Sequence, residues 1–190
     1  MKTRFLFVAS TAFLFCGCLV PSLHPLFTDN DKVVRNELIG DWTSEDGDAL
    51  WLFQLEPDSS YSLAYVENND TSWFVAHLVQ LDNHLFMDMY PDPSDVLSDA
   101  YKVHLVAAHT FSKLEFDSDI VTMSILDPDW VRNRFDSGGL NLAHELLGPG
   151  DLILTAPTTD LQKFMISIAD DSSAFSPFQL FRLSESVDSI

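Results

Sequence analysis

Two histidines and one carboxylate are the strongest candidates for chemistry in this sequence. His84 and Asp88 are four residues apart in an alternating segment, so their side chains share one face of a predicted strand, with Phe86 between them. His77 is on the neighbouring predicted strand and could point to the same face or to the opposite one. Imidazole and carboxylate ligands suit zinc. His77, His84 and Asp88 therefore form a candidate metal or hydrolytic site.

The spacing of these residues matches no common catalytic or metal motif. The sequence contains no H-x-H, H-E-x-x-H or G-x-S-x-G pattern. Its two cysteines, Cys16 and Cys18, are both near the start, so we expect neither a thiolate site nor a cysteine nucleophile in the folded part. We favour histidines that are hydrogen-bonded within the sheet or at its rim, and a protein that is not an enzyme.

A second candidate site consists of aromatic side chains that could bind an apolar small molecule. Its members are Trp51, Phe53, Tyr61, Tyr65 and Trp73. They could line a hydrophobic cup. They could equally fill a solid core, because small barrels are normally packed with side chains, and we favour the packed core.

Alternating strands separated by turns carry these residues. The pattern predicts strands at 41–45, 49–56, 61–67, 72–81, 84–90, 101–108, 109–116 and 119–126, a strand pair at 141–147 and 151–155, and a last strand at 178–183. Asp127 predicts the start of one helix, and apolar residues at helical spacing predict another over 158–169. These elements indicate a mainly β protein, an antiparallel meander with two short helices packed on it.

The segment Gly40-Asp41-Trp42 introduces the first long strand. A G-x-W at this place resembles the lipocalin-like barrels, in which the tryptophan plugs the closed end. The resemblance implies a lipocalin-like β-barrel or curled sheet of about 8–10 strands. Eight strands enclose enough room for side chains or for one small ligand.

The N-terminal region has the pattern of an export signal. Lys2 and Arg4 precede an apolar run that is about half as long as a membrane-spanning helix. The run ends at Leu14-Phe15-Cys16-Gly17-Cys18, which resembles the lipobox of bacterial lipoproteins. The resemblance implies cleavage between Gly17 and Cys18, and attachment of diacylglycerol and a fatty acid such as palmitate to Cys18. No other cofactor is expected.

The residues after the lipobox are similar to the opening of an uncharacterised group of bacterial lipoproteins, Cys-x-x-Pro-Ser-Leu-His-Pro-Leu, which here spans 18–26. The resemblance implies no activity. We expect a signal peptide at 1–17, a lipidated tether at 18–36, one globular domain at 37–184 and a frayed tail at 185–190.

Charge and anchor together suggest where the protein acts. The formal net charge of −19 repels nucleic acid, so we expect no nucleic-acid partner. The lipoprotein resemblance implies that the bilayer is a partner through acylated Cys18. It also implies the outer membrane as the location in a Gram-negative host, because Leu19 is not the Asp that favours inner-membrane retention in that family. The leading hypothesis is a non-catalytic cell-envelope lipoprotein that binds an apolar small molecule or another envelope protein. The alternatives are the metal-dependent or hydrolytic enzyme and a structural envelope protein without a ligand.

Overall fold

A computed structural model describes residues 19–92, 105–148 and 151–184. The strands are β1 (Lys32–Val33), β2 (Gly40–Ser44), β3 (Ala49–Leu55), β4 (Tyr61–Glu67), β5 (Asp70–Leu81), β6 (His84–Pro91), β7 (Thr110–Asp117), β8 (Ile120–Leu126), β9 (His144–Gly148), β10 (Asp151–Leu154) and β11 (Phe175–Arg182). The α-helices are α1 (Pro128–Asp136) and α2 (Thr158–Ile168), and short 3-10 turns cover Asn36–Leu38 and Ser172–Ala174. The predicted signal peptide, Cys18 and the tail 185–190 lie outside the described residues.

Eight of the strands close an antiparallel barrel. Strands β2 to β8 pair in sequence order, and β11 lies between β8 and β2. A further pairing of β5 with β6 closes the ring, and β1 adds to β5 at its outer edge. The fold prediction of a mainly β, lipocalin-like barrel with two short helices is confirmed.

The strand that completes the barrel differs from the predicted one. Residues 105–108, the described part of the predicted strand 101–108, have no regular secondary structure. Val106 is 73% exposed, so its apolar side chain does not pack against a sheet as the predicted strand would require. The eighth strand is instead β11, which begins three residues before the predicted start because Pro177 is accommodated opposite Ser124 within the pairing.

The excursion between β8 and β11 contains both α-helices and a separate hairpin of β9 and β10. The α1 helix begins as predicted, since the Asp127 carboxylate accepts a hydrogen bond from the Trp130 N–H at 2.8 Å and Pro128 occupies the first turn. The predicted strand pair is shorter than expected, at 144–148 and 151–154. No helix among the described residues has the length and apolar character that crossing a membrane requires.

Strand alternation produces two hydrophobic cores on opposite faces of the barrel wall. The inner core fills the barrel with residues that include Leu38, Trp42, Phe53, Tyr61, Leu63, Ala76, Leu78, Met87, Leu114, Val121, Met123 and Leu180. The outer core lies between the outside of β5–β8 and the excursion, with residues that include Val79, Phe86, Phe111, Val131, Leu152, Leu154, Leu161 and Met165.

The N-terminal segment, residues 19–36, packs on the barrel. Val20 and Leu26 are buried in the outer core. Ser22 forms backbone bridges to His109 on one side and to Leu154 on the other. Apolar side chains and main-chain pairing thus hold the described part of the predicted tether 18–36 against the domain from residue 20 onward.

Candidate functional site

One end of the barrel is closed by Trp42, the tryptophan of the G-x-W segment. Its side chain is fully buried, and its indole N–H donates a hydrogen bond to the Leu38 carbonyl at 2.9 Å. The Arg182 guanidinium lies 4.2 Å from the Trp42 ring and donates to the Ile39 carbonyl at 2.9 Å. Gly40 has φ +122°, and a Cβ there would lie 3.0 Å from Arg182 Nη1. We call this region the closed end.

The opposite end of the barrel interior is only partly buried, and we call its inward-facing side chains the mouth. They are Trp51, Tyr65, Phe74, Met89 and Phe178. Each lies two residues along its strand from a fully buried inner-core residue, in the direction away from the closed end. The Trp51 ring is 4.9 Å from that of Tyr65 and 5.9 Å from that of Phe178. These contacts form an aromatic surface above the packed interior.

A buried hydroxyl lies beneath the mouth. Ser112 is 1% exposed and pairs with Met87 on β6 and with Ile125 on β8, which places its side chain on the inner face. Its Oγ has no hydrogen-bond partner among the described residues. Buried hydroxyls in proteins are usually paired. Ser112 therefore offers a free donor and acceptor to a small molecule or a water inside the barrel.

Tyr65 supplies a polar group at the rim of the mouth. Burial, followed by the negative charge of Glu67 and a hydrogen bond to it, raises the pKa of Tyr65 to about 12. The phenol is therefore neutral at physiological pH, so Tyr65 adds no charge to the mouth.

The five aromatic residues predicted as a ligand site do not form one group. Trp51 and Tyr65 belong to the mouth, whereas Phe53 and Tyr61 are buried in the inner core. Trp73 pairs with Ala64, which faces outward, and is 42% exposed on the outer surface of the barrel. Of the adjacent aromatics Trp73 and Phe74, only Phe74 faces the barrel interior, because neighbouring residues of a strand point to opposite faces.

The sequence analysis does not predict three of the mouth residues or the serine beneath them: Phe74, Met89, Phe178 and Ser112. The alternation of β5 could have identified Phe74, since it is in phase with the inward-facing Ala76 and Leu78. No local signal marks Ser112, because its isolation depends on neighbours from two other strands.

The three residues predicted as a metal site are not brought together. His77 and Asp88 are directly opposite across β5 and β6 on the outer face. His84 is about 13 Å further along β6 than Asp88 at the rise of an extended strand, and its ring lies 3.7 Å from Asp170. Within 19–92, 105–148 and 151–184, no group of three or more His, Cys, Asp or Glu side chains is arranged to hold a metal ion.

Asp88 instead forms a buried pair with His109. Asp88 is 1% exposed, and its Oδ1 lies 2.7 Å from His109 Nδ1. Its Oδ2 accepts a hydrogen bond from the Leu26 N–H at 2.7 Å. Burial raises the pKa of Asp88, while the hydrogen bond to His109 opposes this shift. Both carboxylate oxygens are thus used, and the pair attaches the N-terminal segment to β6 and β7.

His77 lies beside this pair without sharing it. Its ring is 4.3 Å from that of Phe27, and its Nδ1 has no hydrogen-bond partner in the described part of the chain. Burial lowers the pKa of His77. His77 is therefore a neutral imidazole, and it packs under the N-terminal segment as an aromatic ring would.

Comparison with known proteins adds no family: no protein-family model, curated protein or solved structure matches this chain. Fold and site alone define its class. It is an eight-stranded, lipocalin-like antiparallel barrel with one closed end and one aromatic mouth.

Proposed function

We propose that this protein is a lipid-anchored envelope protein that binds an apolar small molecule at the mouth of its barrel. The observation that carries the proposal is the contrast along the barrel axis. Leu38, Trp42 and Tyr61 are fully buried toward the closed end, whereas the mouth leaves Trp51, Tyr65 and Phe178 half-buried. An apolar ligand that covers these half-buried rings removes their exposed surface from water, which favours binding by about 25 cal/mol per Å².

The packed interior limits the ligand to a shallow position. Phe53, Leu63 and Met87 are fully buried immediately below the mouth. A ligand would therefore rest on the aromatic side chains and reach the Ser112 hydroxyl at most with one polar atom. Glu67, next to Tyr65, and the net charge of −19 disfavour an anionic ligand. A neutral apolar molecule fits these features.

The anchor part of the proposal rests on the lipobox-like segment ending at Cys18. Leu19 is 38% exposed, so the chain reaches the domain surface one residue after that cysteine. Two or three acyl chains would hold the protein stably on a membrane. An envelope location follows from this anchor.

Fluorescence titration tests the ligand site. With N-phenylnaphthylamine as a neutral apolar probe, we expect saturable binding and an affinity up to about tenfold weaker for Trp51→Ala, since one aromatic contact is worth about 0.5–1.5 kcal/mol. The matched control is Trp73→Ala, which removes a tryptophan from the outer surface and should bind as the wild type does. Absence of saturable binding, or equal loss in both variants, would refute the site.

Metabolic labelling with a fatty acid tests the anchor. In a bacterial host we expect the full chain to incorporate label and to remain in the membrane fraction. Cys18→Ser should lose the label and leave the membrane fraction, and the matched Cys16→Ser control should keep both properties. Label that survives Cys18→Ser would contradict the assignment.

A further inference from the structure

The tip of the β9–β10 hairpin carries two exposed leucines. Leu146 is 72% and Leu147 is 65% exposed. The pairing shifts between Asp151 and Leu152, so that Leu147 has no partner across the hairpin. Adjacent strand residues point to opposite faces, and an unpaired residue is turned further outward. The hairpin tip therefore presents apolar side chains to solvent in more than one direction, which is unusual for a surface without a partner.

The N-terminal segment runs along this same hairpin. Ser22 bridges Leu154 in parallel orientation, with hydrogen bonds from the Leu154 N–H to the Pro21 carbonyl at 2.8 Å and from the Leu23 N–H to the Leu154 carbonyl at 2.9 Å. In a parallel pair both chains advance in the same direction. Residues before Ser22 therefore extend toward Asp151, which is the hairpin tip. Val20 and Leu152 are both buried in the outer core along this path.

This placement brings the start of the described chain to the side of the exposed leucines. Leu19 is exposed on the tip side of the Ser22 bridge, and Cys18 is the next residue toward the N-terminus. An acyl chain on Cys18 would enter the bilayer within reach of the hairpin tip. This step rests on the proposed lipid anchor.

We propose that the β9–β10 tip inserts into the lipid surface to which Cys18 is anchored, with Leu146 and Leu147 as the inserted side chains. The flanking acids Glu145 and Asp151 are both exposed. They would be repelled by anionic head groups, so the surface that fits is a zwitterionic one. Insertion fixes the orientation of the barrel on the membrane, which a flexible lipid tether alone would not do.

Tryptophan quenching by brominated phosphatidylcholine tests this contact. The full chain, purified from expressing cells, is reconstituted into such vesicles as the wild type and as Leu146→Trp. The matched control is Gln54→Trp, an exposed position on β3, outside the strands that the outer core covers. We expect the added tryptophan at 146 to lose most of its emission and the one at 54 to lose none. A second variant, Leu146→Ser with Leu147→Ser, should increase release from vesicles at least about tenfold.

The outcomes separate this contact from the anchor. Protein that is acylated and sediments with vesicles, but whose tryptophan at 146 keeps its emission, overturns tip insertion and leaves the anchor intact. Protein without acyl chains that stays in solution overturns the anchor and the insertion together. Equal quenching at 146 and 54 overturns the fixed orientation.

Discussion

Two buried polar side chains, Asp88 in the outer core and Ser112 in the inner core, differ in whether they have hydrogen-bond partners. In the outer core, Asp88 uses one carboxylate oxygen for His109 and the other for the Leu26 N–H, and the Ser22 hydroxyl donates to the His24 carbonyl at 2.8 Å. In the inner core, the Ser112 hydroxyl is equally buried but has no partner among the described residues. Asp88 and Ser22 therefore hold chain segments together, whereas the Ser112 hydroxyl is available to a ligand.

The largest effect should come from the closed end of the inner core. Trp42→Ala removes the largest fully buried side chain and the surface on which Arg182 rests. We expect the free energy of unfolding to fall by about 3–5 kcal/mol, measured by urea denaturation. Trp73→Ala, at a 42% exposed site, is the control and should lose less than about 1 kcal/mol. Similar losses at both positions would mean that the closed end is not a stability centre.

In the outer core, Asp88→Ala should give the next largest loss. It leaves the Leu26 N–H and His109 Nδ1 without their partner, and breaking a buried pair of this kind costs about 3 kcal/mol. Amide hydrogen exchange at Leu26 should accelerate more than exchange at the closed end. Asp88→Asn retains an acceptor for Leu26 and should keep more of that protection. Unchanged exchange at Leu26 in Asp88→Ala would show that the pair does not hold the N-terminal segment.

The two cores also differ in how far they could be predicted from the sequence. Alternation is sufficient for strands β2 to β8 and for inward residues such as Phe53 and Tyr61, since each strand carries its own period-two pattern, but it does not identify β11 as the strand that completes the barrel. The Asp88–His109 pair could not be predicted, because it joins β6 to the end of a long link and is covered by residues near the N-terminus. His84 was grouped with Asp88 because both share a face, but a shared face does not provide proximity along a strand.

Acidification should distinguish His77 from the rest of the outer core. Burial lowers the pKa of His77 below the 6.5 of an unperturbed histidine, so the unfolded chain binds a proton that the folded protein resists. The stabilising contribution is complete above about pH 6.5 and is lost as the pH falls toward the lowered value. Asp88 acts in the opposite sense, because its raised pKa favours folding as the carboxyl group becomes protonated.

Comparison of the wild type with His77→Leu isolates the contribution of this histidine to the pH dependence of stability. We expect the wild type to lose more stability than His77→Leu between about pH 7.5 and pH 5, because only the wild type has the imidazole whose protonation burial disfavours in the folded state. Denaturant unfolding at the two pH values gives the comparison. His24→Leu, at an exposed position, should follow the wild type. A parallel response of wild type and His77→Leu would indicate that burial does not control this imidazole.

The smallest effect compares one serine from each core. Ser22→Ala removes a hydrogen bond and should cost about 1 kcal/mol, whereas Ser112→Ala removes a hydroxyl without a partner and should leave stability unchanged or raise it by up to about 1 kcal/mol. Urea unfolding of both variants measures the difference. A loss in Ser112→Ala equal to that in Ser22→Ala would mean that the inner hydroxyl already has a partner. Unchanged or higher stability of Ser112→Ala would instead show that the hydroxyl contributes nothing to folding. It would then be free to form a hydrogen bond with a molecule that lies on the aromatic mouth.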